Sequence, residues 1–392
     1  MRIRVALVLA SAALLAGCST TVPGTAVVDP GAVPRPDYGS NRIEPRDVGT
    51  ADTVLGLVLE GRRMAATAPL LFTIDPAIRY SSQVEAGQLN TGRNNVRFMV
   101  GQLGADAFRD HEVGFFIGAS DQKPGVRSSS TTTSRGVTVG VLRMPSPARA
   151  AAAVTAGLRG REPDASADTP EKKTLAIPGY DTAIAYSQAF KTGTPNAAFL
   201  AYQQYVIFAY GAYSPAQIQK YFDAQIKGLG GFTPTPVDKV TTLPVDDSGV
   251  AKYTLPPSTE DPTRTGTLPI PVALQNQLDV TSAKNAFDDA GVDAVGVGNS
   301  TVYRAKDAAA AVRMQRSLVD DVRGFYSTNT PIAAKNIPGV VCMVLPMYPG
   351  SSVTTNWCIA TAGRYVVEVA AGQQQQAVQR IGAEYLILRD AK

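Results

Sequence analysis

The sequence is poor in the residues that metal and thiol sites need. It has one histidine and three cysteines among 392 residues. A single histidine excludes most multi-histidine zinc sites, and three cysteines exclude a disulfide-dense scaffold or a thiolate cluster. The sequence also lacks a polybasic run, and its 37 basic residues nearly balance 33 acidic ones, which argues against nucleic-acid binding. We therefore expect no metal, no other cofactor and no nucleic-acid partner.

Long apolar runs are absent too, since none approaches the roughly 18 residues that a membrane-spanning helix needs. The N-terminus instead has two arginines before an apolar run at 5–15, the pattern of a secretory signal. The run ends in Leu15-Ala16-Gly17-Cys18, which resembles the bacterial lipobox. The resemblance implies that residues 1–17 are a signal peptide removed before Cys18, and that Cys18 carries a diacylglycerol.

Lipid anchoring sets the expected location of the mature chain. Two or more acyl chains hold a protein stably on a bilayer, so we expect attachment to the outer face of the plasma membrane, exposed to the cell envelope. Residues 18–48 contain five prolines and several glycines without hydrophobic periodicity. This composition predicts a Pro/Gly-rich tether between the anchor and the folded body.

The body of the chain consists of two related halves. Ile177-Pro178-Gly179 recurs as Ile337-Pro338-Gly339, and Tyr205-Val206 recurs as Tyr365-Val366, both at an offset of 160 residues. We therefore divide the body into an N-terminal lobe at 49–240 and a C-terminal lobe at 241–392. The first copy is longer by about twenty residues, and the excess falls on the Ser/Thr-rich stretch 122–135.

Each half contains the same order of hydrophobic patterns. A strand is followed by an alanine-rich helix, a hairpin, a third strand and a closing helix, which gives a β-α-β-β-β-α unit. This order predicts an α+β fold of two tandem homologous lobes, each a mainly antiparallel sheet covered by helices. The predicted strands are 137–144, 180–190, 196–202 and 205–210 in the first half, and 301–304, 340–345, 357–361 and 365–370 in the second. The predicted helices are 147–158, 215–229, 306–323 and 373–388.

The remaining two cysteines lie on the two arms of the second hairpin. At the offset of 160, Cys342 and Cys358 correspond to Thr182 and Ala198, so the first copy lacks both together. Joint gain or loss within one repeat is typical of a disulfide, and an exported protein permits one. We predict a Cys342–Cys358 disulfide, with two buried free thiols as the alternative.

Catalytic motifs are scarce. The sequence has no Gly-x-Ser-x-Gly motif, and its lone histidine is His111, between Asp110 and Glu112. Those carboxylates could orient the imidazole as a base, although a short charged cluster at a helix end is the simpler interpretation. Adjacent carboxylates such as Asp288 and Asp289 point apart on a helix and form no convergent pair by spacing alone. We assign no catalytic residue.

One aromatic cluster is a candidate binding surface. Tyr202, Tyr205, Phe208 and Tyr210 crowd the third strand of the first half. Core packing explains most of such a cluster, but tyrosine also offers an apolar body with a polar tip, which suits a wall that lines a ligand. We keep these four residues as a possible ligand wall.

Several short segments resemble those of a known family. These segments are Val22-Pro23-Gly24-Thr25-Ala26, Asp37-Tyr38-Gly39, Glu44-Pro45-Arg46, Leu59-Glu60-Gly61-Arg62-Arg63-Met64-Ala65 and Ile74-Asp75-Pro76. Together with the lipobox they resemble uncharacterised lipoproteins of mycobacteria, nocardiae and their relatives. The resemblance covers most of the mature chain and implies an actinobacterial envelope, but its motifs are not catalytic and it implies no activity.

Two function classes follow from these observations. The first is a non-enzymatic envelope module that binds a lipid, a glycan or a protein. The alternative is a cell-wall or envelope hydrolase that uses carboxylates. The sequence leaves enzymatic activity open and favours the binding module. A deep apolar pocket would support ligand binding, whereas two converging carboxylates with shifted pKa values would support the hydrolase.

Overall fold

The computed structural model describes residues 34–87, 96–126 and 135–391. Within these ranges the chain forms two antiparallel sheets of seven strands each, with helices packed on both, so the predicted α+β architecture of two tandem lobes is confirmed. The predicted signal peptide, Cys18, the tether up to residue 33 and the Ser/Thr run 128–133 lie outside the described residues.

The first lobe contains four helices and seven strands in its described part. Its helices are α1 (Thr53–Ala65), α2 (Val96–Ala107), α3 (Pro147–Thr155) and α4 (Pro215–Gly230). Its strands are β1 (Tyr80–Gly87), β2 (Val113–Ser120), β3 (Gly136–Arg143), β4 (Lys172–Thr174), β5 (Ile184–Gln188), β6 (Asn196–Tyr202) and β7 (Tyr205–Gly211).

The second lobe repeats this arrangement. Its helices are α5 (Ile270–Gln275), α6 (Val280–Ala290), α7 (Ala308–Phe325) and α8 (Gln374–Arg389). Its strands are β8 (Gly266–Leu268), β9 (Ala294–Val297), β10 (Ser300–Arg304), β11 (Thr330–Pro331), β12 (Val341–Pro346), β13 (Thr354–Ala362) and β14 (Tyr365–Ala371). No helix of the described residues is both long enough and apolar enough to cross a membrane.

The two sheets have the same strand order. It runs β1-β2-β3-β7-β6-β5-β4 in the first lobe and β8-β9-β10-β14-β13-β12-β11 in the second. The ladders match in register, because Arg143 lies opposite Tyr205 and Arg304 lies opposite Tyr365. Before the predicted unit the first lobe also has β1, α2 and β2, and the second lobe has β8, α5, α6 and β9; a short edge strand, β4 or β11, follows the alanine-rich helix of each. Periodicity missed these elements, since the strands of the second copy are only three or four residues long there.

Polar caps fix where the helices begin. Ser214 caps α4 in a capping box with Gln217, with Pro215 in the first turn, and Asp307 accepts a hydrogen bond from the Ala310 amide at the start of α7. The capping residues at the start of α4 and α8 are 159 residues apart, not the 160 that separate the strands, so the closing helices are shifted by one residue.

Both faces of the first sheet are buried. One face packs against α2 and α3, and the other packs against α1 and α4. In the second lobe, α8 covers one face and α6 and α7 lie on the other. The α1/α4 side of the first lobe and the α6/α7 side of the second share one continuous apolar core. The folded body from Pro36 onward is therefore one compact unit.

Polar contacts add to this shared core between the lobes. The Arg79 guanidinium forms an ion pair with Asp279, which also caps α6, and the Nε–Oδ1 distance is 3.0 Å. Tyr80 packs edge-on against Phe325 at the end of α7, with the ring centroids 5.9 Å apart. The first strand of lobe one is thereby held against the helices of lobe two.

The predicted tether ends earlier than residue 48. The Asp37 carbonyl lies so close to α8 that a Cβ at Gly382 would be 2.1 Å from its oxygen. Tyr38 and Ile43 pack against the apolar core of the second lobe, and Arg46 donates to the Thr265 hydroxyl at 2.8 Å. Proline and glycine content alone gave the wrong boundary, because this irregular segment is held by the opposite lobe.

Candidate functional site

Cys342 and Cys358 form a disulfide. They lie directly opposite each other on β12 and β13, with their Cα atoms 4.1 Å apart, and both are buried on the α8 face of the sheet. The matching pair in the first lobe is Ala185 and Ala198, which lie opposite each other on β5 and β6. The offset of 160 therefore named the wrong counterpart, Thr182, because the loops of the two hairpins differ in length.

The four candidate aromatic residues do not form one wall. Phe208 is fully buried on the α2/α3 face of the sheet, whereas Tyr205 is buried on the opposite face. Tyr202 and Tyr210 are partly exposed and pack against these two different cores. Alternation along β7 separates the side chains, so the cluster serves packing on both faces.

His111 is also part of the first lobe's interior. Its Nδ1 lies 2.7 Å from the Phe108 carbonyl oxygen. The neighbouring carboxylates hold arginines: Glu112 accepts from Arg143 at 3.1 Å and Asp110 accepts from Arg149 at 2.8 Å. These contacts tie the segment to the strand and helix beside it, as in a structural charged cluster.

A cavity of about 1130 Å³ lies between the second-lobe sheet and helix α1. Its floor is the face of the sheet that points away from α8, and its walls come from α1, α5, α6, α7 and the loop 256–265. The volume slightly exceeds the usual range for small-molecule sites, about 300–1,000 Å³. None of the four aromatic residues predicted as a wall lines this cavity.

The corresponding face of the first lobe is solid. Phe116, Phe199 and Phe208 fill it, with the Phe116 and Phe208 ring centroids 5.3 Å apart. Gly140 makes room for this packing, because a Cβ there would lie 2.6 Å from the Phe208 ring. Aromatic and aliphatic side chains together form a continuous buried core between this sheet face and α3.

Smaller or polar residues occupy the matching positions in the second lobe. The ladders place Val297 at the position of Phe116, Ile359 at that of Phe199 and Glu368 at that of Phe208. Thr301, the equivalent of Gly140, lies opposite Glu368. The loss of three aromatic rings leaves space on this face, and Val297, Thr301 and Glu368 line the cavity that results.

A polar cluster lies on the cavity floor around Glu368. Tyr303 donates its hydroxyl hydrogen to Glu368 Oε2 at 2.7 Å, and Gln277 donates to the Tyr303 hydroxyl at 2.9 Å. Burial raises the pKa of Glu368, and hydrogen bonds from Tyr303 and Trp357 partly offset that effect. Burial and the nearby carboxylate raise the pKa of Tyr303 well above 10, so Tyr303 remains a hydrogen-bond donor.

Three arginines line the same cavity. Arg62 on α1 donates to the carbonyls of Thr265 at 2.6 Å and Thr263 at 3.1 Å. Burial lowers the pKa of Arg62 to about 10. Arg380 on α8 donates to the Ala370 carbonyl at 2.8 Å, and Arg264 extends from the loop 256–265. None of the three forms an ion pair with a carboxylate of the described residues.

Two aspartates line the wall formed by α6 and α7. Burial and the nearby charge of Asp279 raise the pKa of Asp321, while a hydrogen bond from Ser282 partly offsets this. The residues that shift Asp321 are different from Tyr303 and Trp357, which act on Glu368. Both carboxyls line the same cavity. In the described part of the chain, no group of three or more His, Cys, Asp or Glu side chains is placed to hold a metal ion.

Sequence reasoning missed every residue of this floor. One signal was available, because the offset of 160 pairs Phe208 with Glu368 and so replaces an aromatic residue by a carboxylate within a duplicated strand. The cavity can hold a ligand with apolar and polar parts, since its lining combines aliphatic side chains with a carboxylate, a tyrosine and three arginines.

Comparison with known families gives a match for both lobes. Residues 48–245 match the N-terminal part, and residues 250–391 the C-terminal part, of a domain of unknown function, DUF7373. No curated protein and no solved structure matches the chain.

Proposed function

This chain belongs to the DUF7373 family, and we propose that it is a lipid-anchored binding protein of the cell envelope that holds a small ligand in its interlobe cavity. The observation that carries the proposal is the difference between two copies of one sheet. The first copy fills a face with aromatic rings, whereas the second places Glu368, Tyr303 and Trp357 around a cavity on the same face.

The composition of the cavity also supports binding. Ligand sites combine apolar surface with directed polar groups, and polar and apolar surface line this cavity in equal parts. Here Leu57, Val272 and Val297 provide apolar surface, and Tyr303 holds the Glu368 carboxylate in place. A buried carboxylate destabilises the folded protein relative to an apolar residue at the same position. A functional role for Glu368 accounts for that cost.

The location that we propose for this protein is the outer face of an actinobacterial plasma membrane. It rests on the lipobox motif at Leu15–Cys18 and on the short segments that resemble mycobacterial and nocardial lipoproteins. A Cys18→Ser variant tests it: we expect the variant to leave the membrane fraction, whereas the parent chain stays there and gains the mass of its lipid. Membrane retention of the variant would contradict the anchor without affecting the cavity proposal.

Ligand binding is tested by native mass spectrometry of the protein purified from its own membrane. We expect a non-covalent adduct on the parent chain and its loss in Val297→Phe, which introduces the first-lobe residue and places a ring on the cavity floor near Glu368. Val312→Phe is the matched control, because Val312 is exposed on α7 and does not line the cavity. An adduct that survives Val297→Phe, or no adduct on the parent chain, would overturn the proposal.

An envelope hydrolase has one observation in its favour, the raised pKa values of Glu368 and Asp321. A two-carboxylate mechanism needs both groups to converge on one bond. We favour binding over hydrolysis because the two carboxyls share the cavity with three arginines and an aliphatic lining, which suit a bound ligand. Release of reducing ends from purified cell wall, abolished in Glu368→Gln, would reverse this preference.

A further inference from the structure

The arginines of the cavity differ from most other arginines near the interior of the molecule. Arg79 forms an ion pair with Asp279, and Arg143 forms ion pairs with Glu60 and Glu112. Arg62, Arg264 and Arg380 form none with the described residues. A cation that loses water without gaining an anion is costly, so buried charges are usually paired. Arg62 and Arg380 are partly buried without a carboxylate partner and Arg264 is exposed beside them, so the three guanidinium groups are available to an external anion.

The three groups also lie close enough to act on one another. Arg264 lowers the pKa of Arg62 and of Arg380, although burial is the larger cause in both cases. Arg264 also acts on the Tyr303 hydroxyl at the cavity floor. All three guanidinium groups line the same cavity, from α1, from α8 and from the loop 256–265.

Five acidic residues also line the cavity, and none of them forms an ion pair with these three arginines. Glu260 and Asp261 stand on the same loop as Arg264 but are exposed, and Asp261 accepts a hydrogen bond from the Thr263 hydroxyl at 2.9 Å. Asp261 attracts Arg62 electrostatically without forming an ion pair with it. An anion that enters the cavity would gain charge-assisted hydrogen bonds that no described side chain supplies.

Apolar surface continues from the arginine cluster into the cavity. Leu57 and Val58 of α1, Val272 of α5 and Val295 and Val297 of β9 all line the cavity. Such a lining favours an apolar body rather than a small inorganic ion, because burial of apolar surface is the larger source of affinity.

We propose that the cavity binds an amphiphilic anion, with its phosphate or carboxylate held by Arg62, Arg264 and Arg380 and its apolar body between α1 and the second-lobe sheet. This inference rests on the proposed function and specifies the ligand's chemical class. Arg264 lowers the pKa of both other arginines, whereas Arg62 and Arg380 are already oriented by backbone carbonyls.

Three probes separate the contributions of charge and apolar body: decyl phosphate, decyl maltoside and inorganic phosphate. Trp357 is the only tryptophan in the sequence and lines the cavity, so its fluorescence reports binding, with calorimetry as a second readout. We expect decyl phosphate to bind at least tenfold more tightly than either of the other two probes. If decyl maltoside binds as tightly as decyl phosphate, the ligand does not need an anionic group. If inorganic phosphate binds as tightly, the ligand does not need an apolar body. Either result would overturn the proposal.

Variants locate the anion. Arg264→Gln and Arg380→Gln should each raise the dissociation constant for decyl phosphate about tenfold or more and leave that of decyl maltoside unchanged. Arg316→Gln, at an exposed site on α7 outside the cavity, is the matched control and should change neither. Unchanged affinity in both cavity variants would contradict the arginine site while ligand binding stands. Failure of all probes, together with no adduct on the native protein, would instead contradict the proposed function.

Discussion

The two lobes have the same strand order and register, yet they use one face of the sheet in different ways. In the first lobe, Phe116, Phe199 and Phe208 close that face. In the second lobe, Val297, Ile359 and Glu368 occupy the same positions and a cavity opens beside them. Side-chain volume and polarity at a few matched positions therefore decide whether a copy of this fold has a solid core or a binding site.

Two other sets of matched positions also carry different residues in the two lobes. The closing helices, aligned on their capping residues, place buried Gln225 of the first lobe at the position of buried Glu384 in the second. The paired strands place Ala185 and Ala198 where the second lobe has its disulfide. Exchange of residues between the lobes tests each difference directly.

The largest loss of stability is expected from Phe208→Glu. This change introduces into the first lobe the residue that the second lobe has at the matched position, Glu368. The change removes a fully buried ring and places a carboxyl without a partner in an apolar core. We expect a loss of more than about 5 kcal/mol, enough to unfold the first lobe. Urea unfolding followed by circular dichroism measures it, while Trp357 fluorescence reports the second lobe alone.

The reverse change, Glu368→Phe, is the control and should leave both lobes folded. If Phe208→Glu has no larger effect than this control, the solid core of the first lobe is not what separates the two copies.

The next largest effect concerns Glu384, whose carboxyl is fully buried and accepts hydrogen bonds from Ser300 and from the Leu255 amide. Burial raises the pKa of Glu384 from 4.5 to about 8. A raised pKa in the folded state contributes stability that is complete below 4.5 and is lost as the pH rises through about 8. The parent protein should therefore lose roughly 3–4 kcal/mol between pH 4.5 and pH 9 through this group.

Glu384→Gln introduces the first-lobe residue and keeps the neutral shape, so its stability should depend less on pH over this range. Unfolding free energies measured at pH 5 and pH 9 for both proteins give the comparison. Parallel pH profiles for the two would show that Glu384 is ionised in the folded state at pH 7.

A smaller effect is expected when Cys342 and Cys358 are both replaced by alanine, as in the first lobe. The disulfide closes a loop of 16 residues, and its loss should cost about 3 kcal/mol, mainly because the unfolded chain becomes less constrained. The midpoint of urea unfolding should fall for the double variant and become insensitive to dithiothreitol. A parent protein that is equally insensitive to the reductant would count against the stabilising role of the disulfide.

The smallest effect on stability is expected for Val297→Phe, which adds the first-lobe ring to the cavity. Overpacking a filled core costs about 1–3 kcal/mol, but a cavity can accept the larger side chain. We expect a change within about 1 kcal/mol, measured by thermal unfolding, together with loss of the bound ligand. A much larger destabilisation would show that this face is already filled.

The sequence predicted the strands and helices of each lobe more accurately than it predicted the candidate site. The repeated Ile-Pro-Gly turns and the alternating strands located the shared core of the fold, since both signals are local. The same reasoning chose Tyr205 and Phe208 as one wall, although alternation along β7 sends them to opposite faces. It also extended the tether to residue 48, because a proline-rich segment carries no local sign of the partner surface on α8.

The duplication, the α+β class and the cysteine pair follow from the amino-acid sequence alone, because each depends on patterns within one segment or on matches between two. Tertiary structure decided where a site exists. The cavity depends on which side chains from β9, β10, β13 and β14 meet on one face and on the position of α1 above them. The arginine cluster likewise joins residues that lie more than 300 positions apart in the chain, Arg62 and Arg380, so only the packing of the lobes brings their charges together.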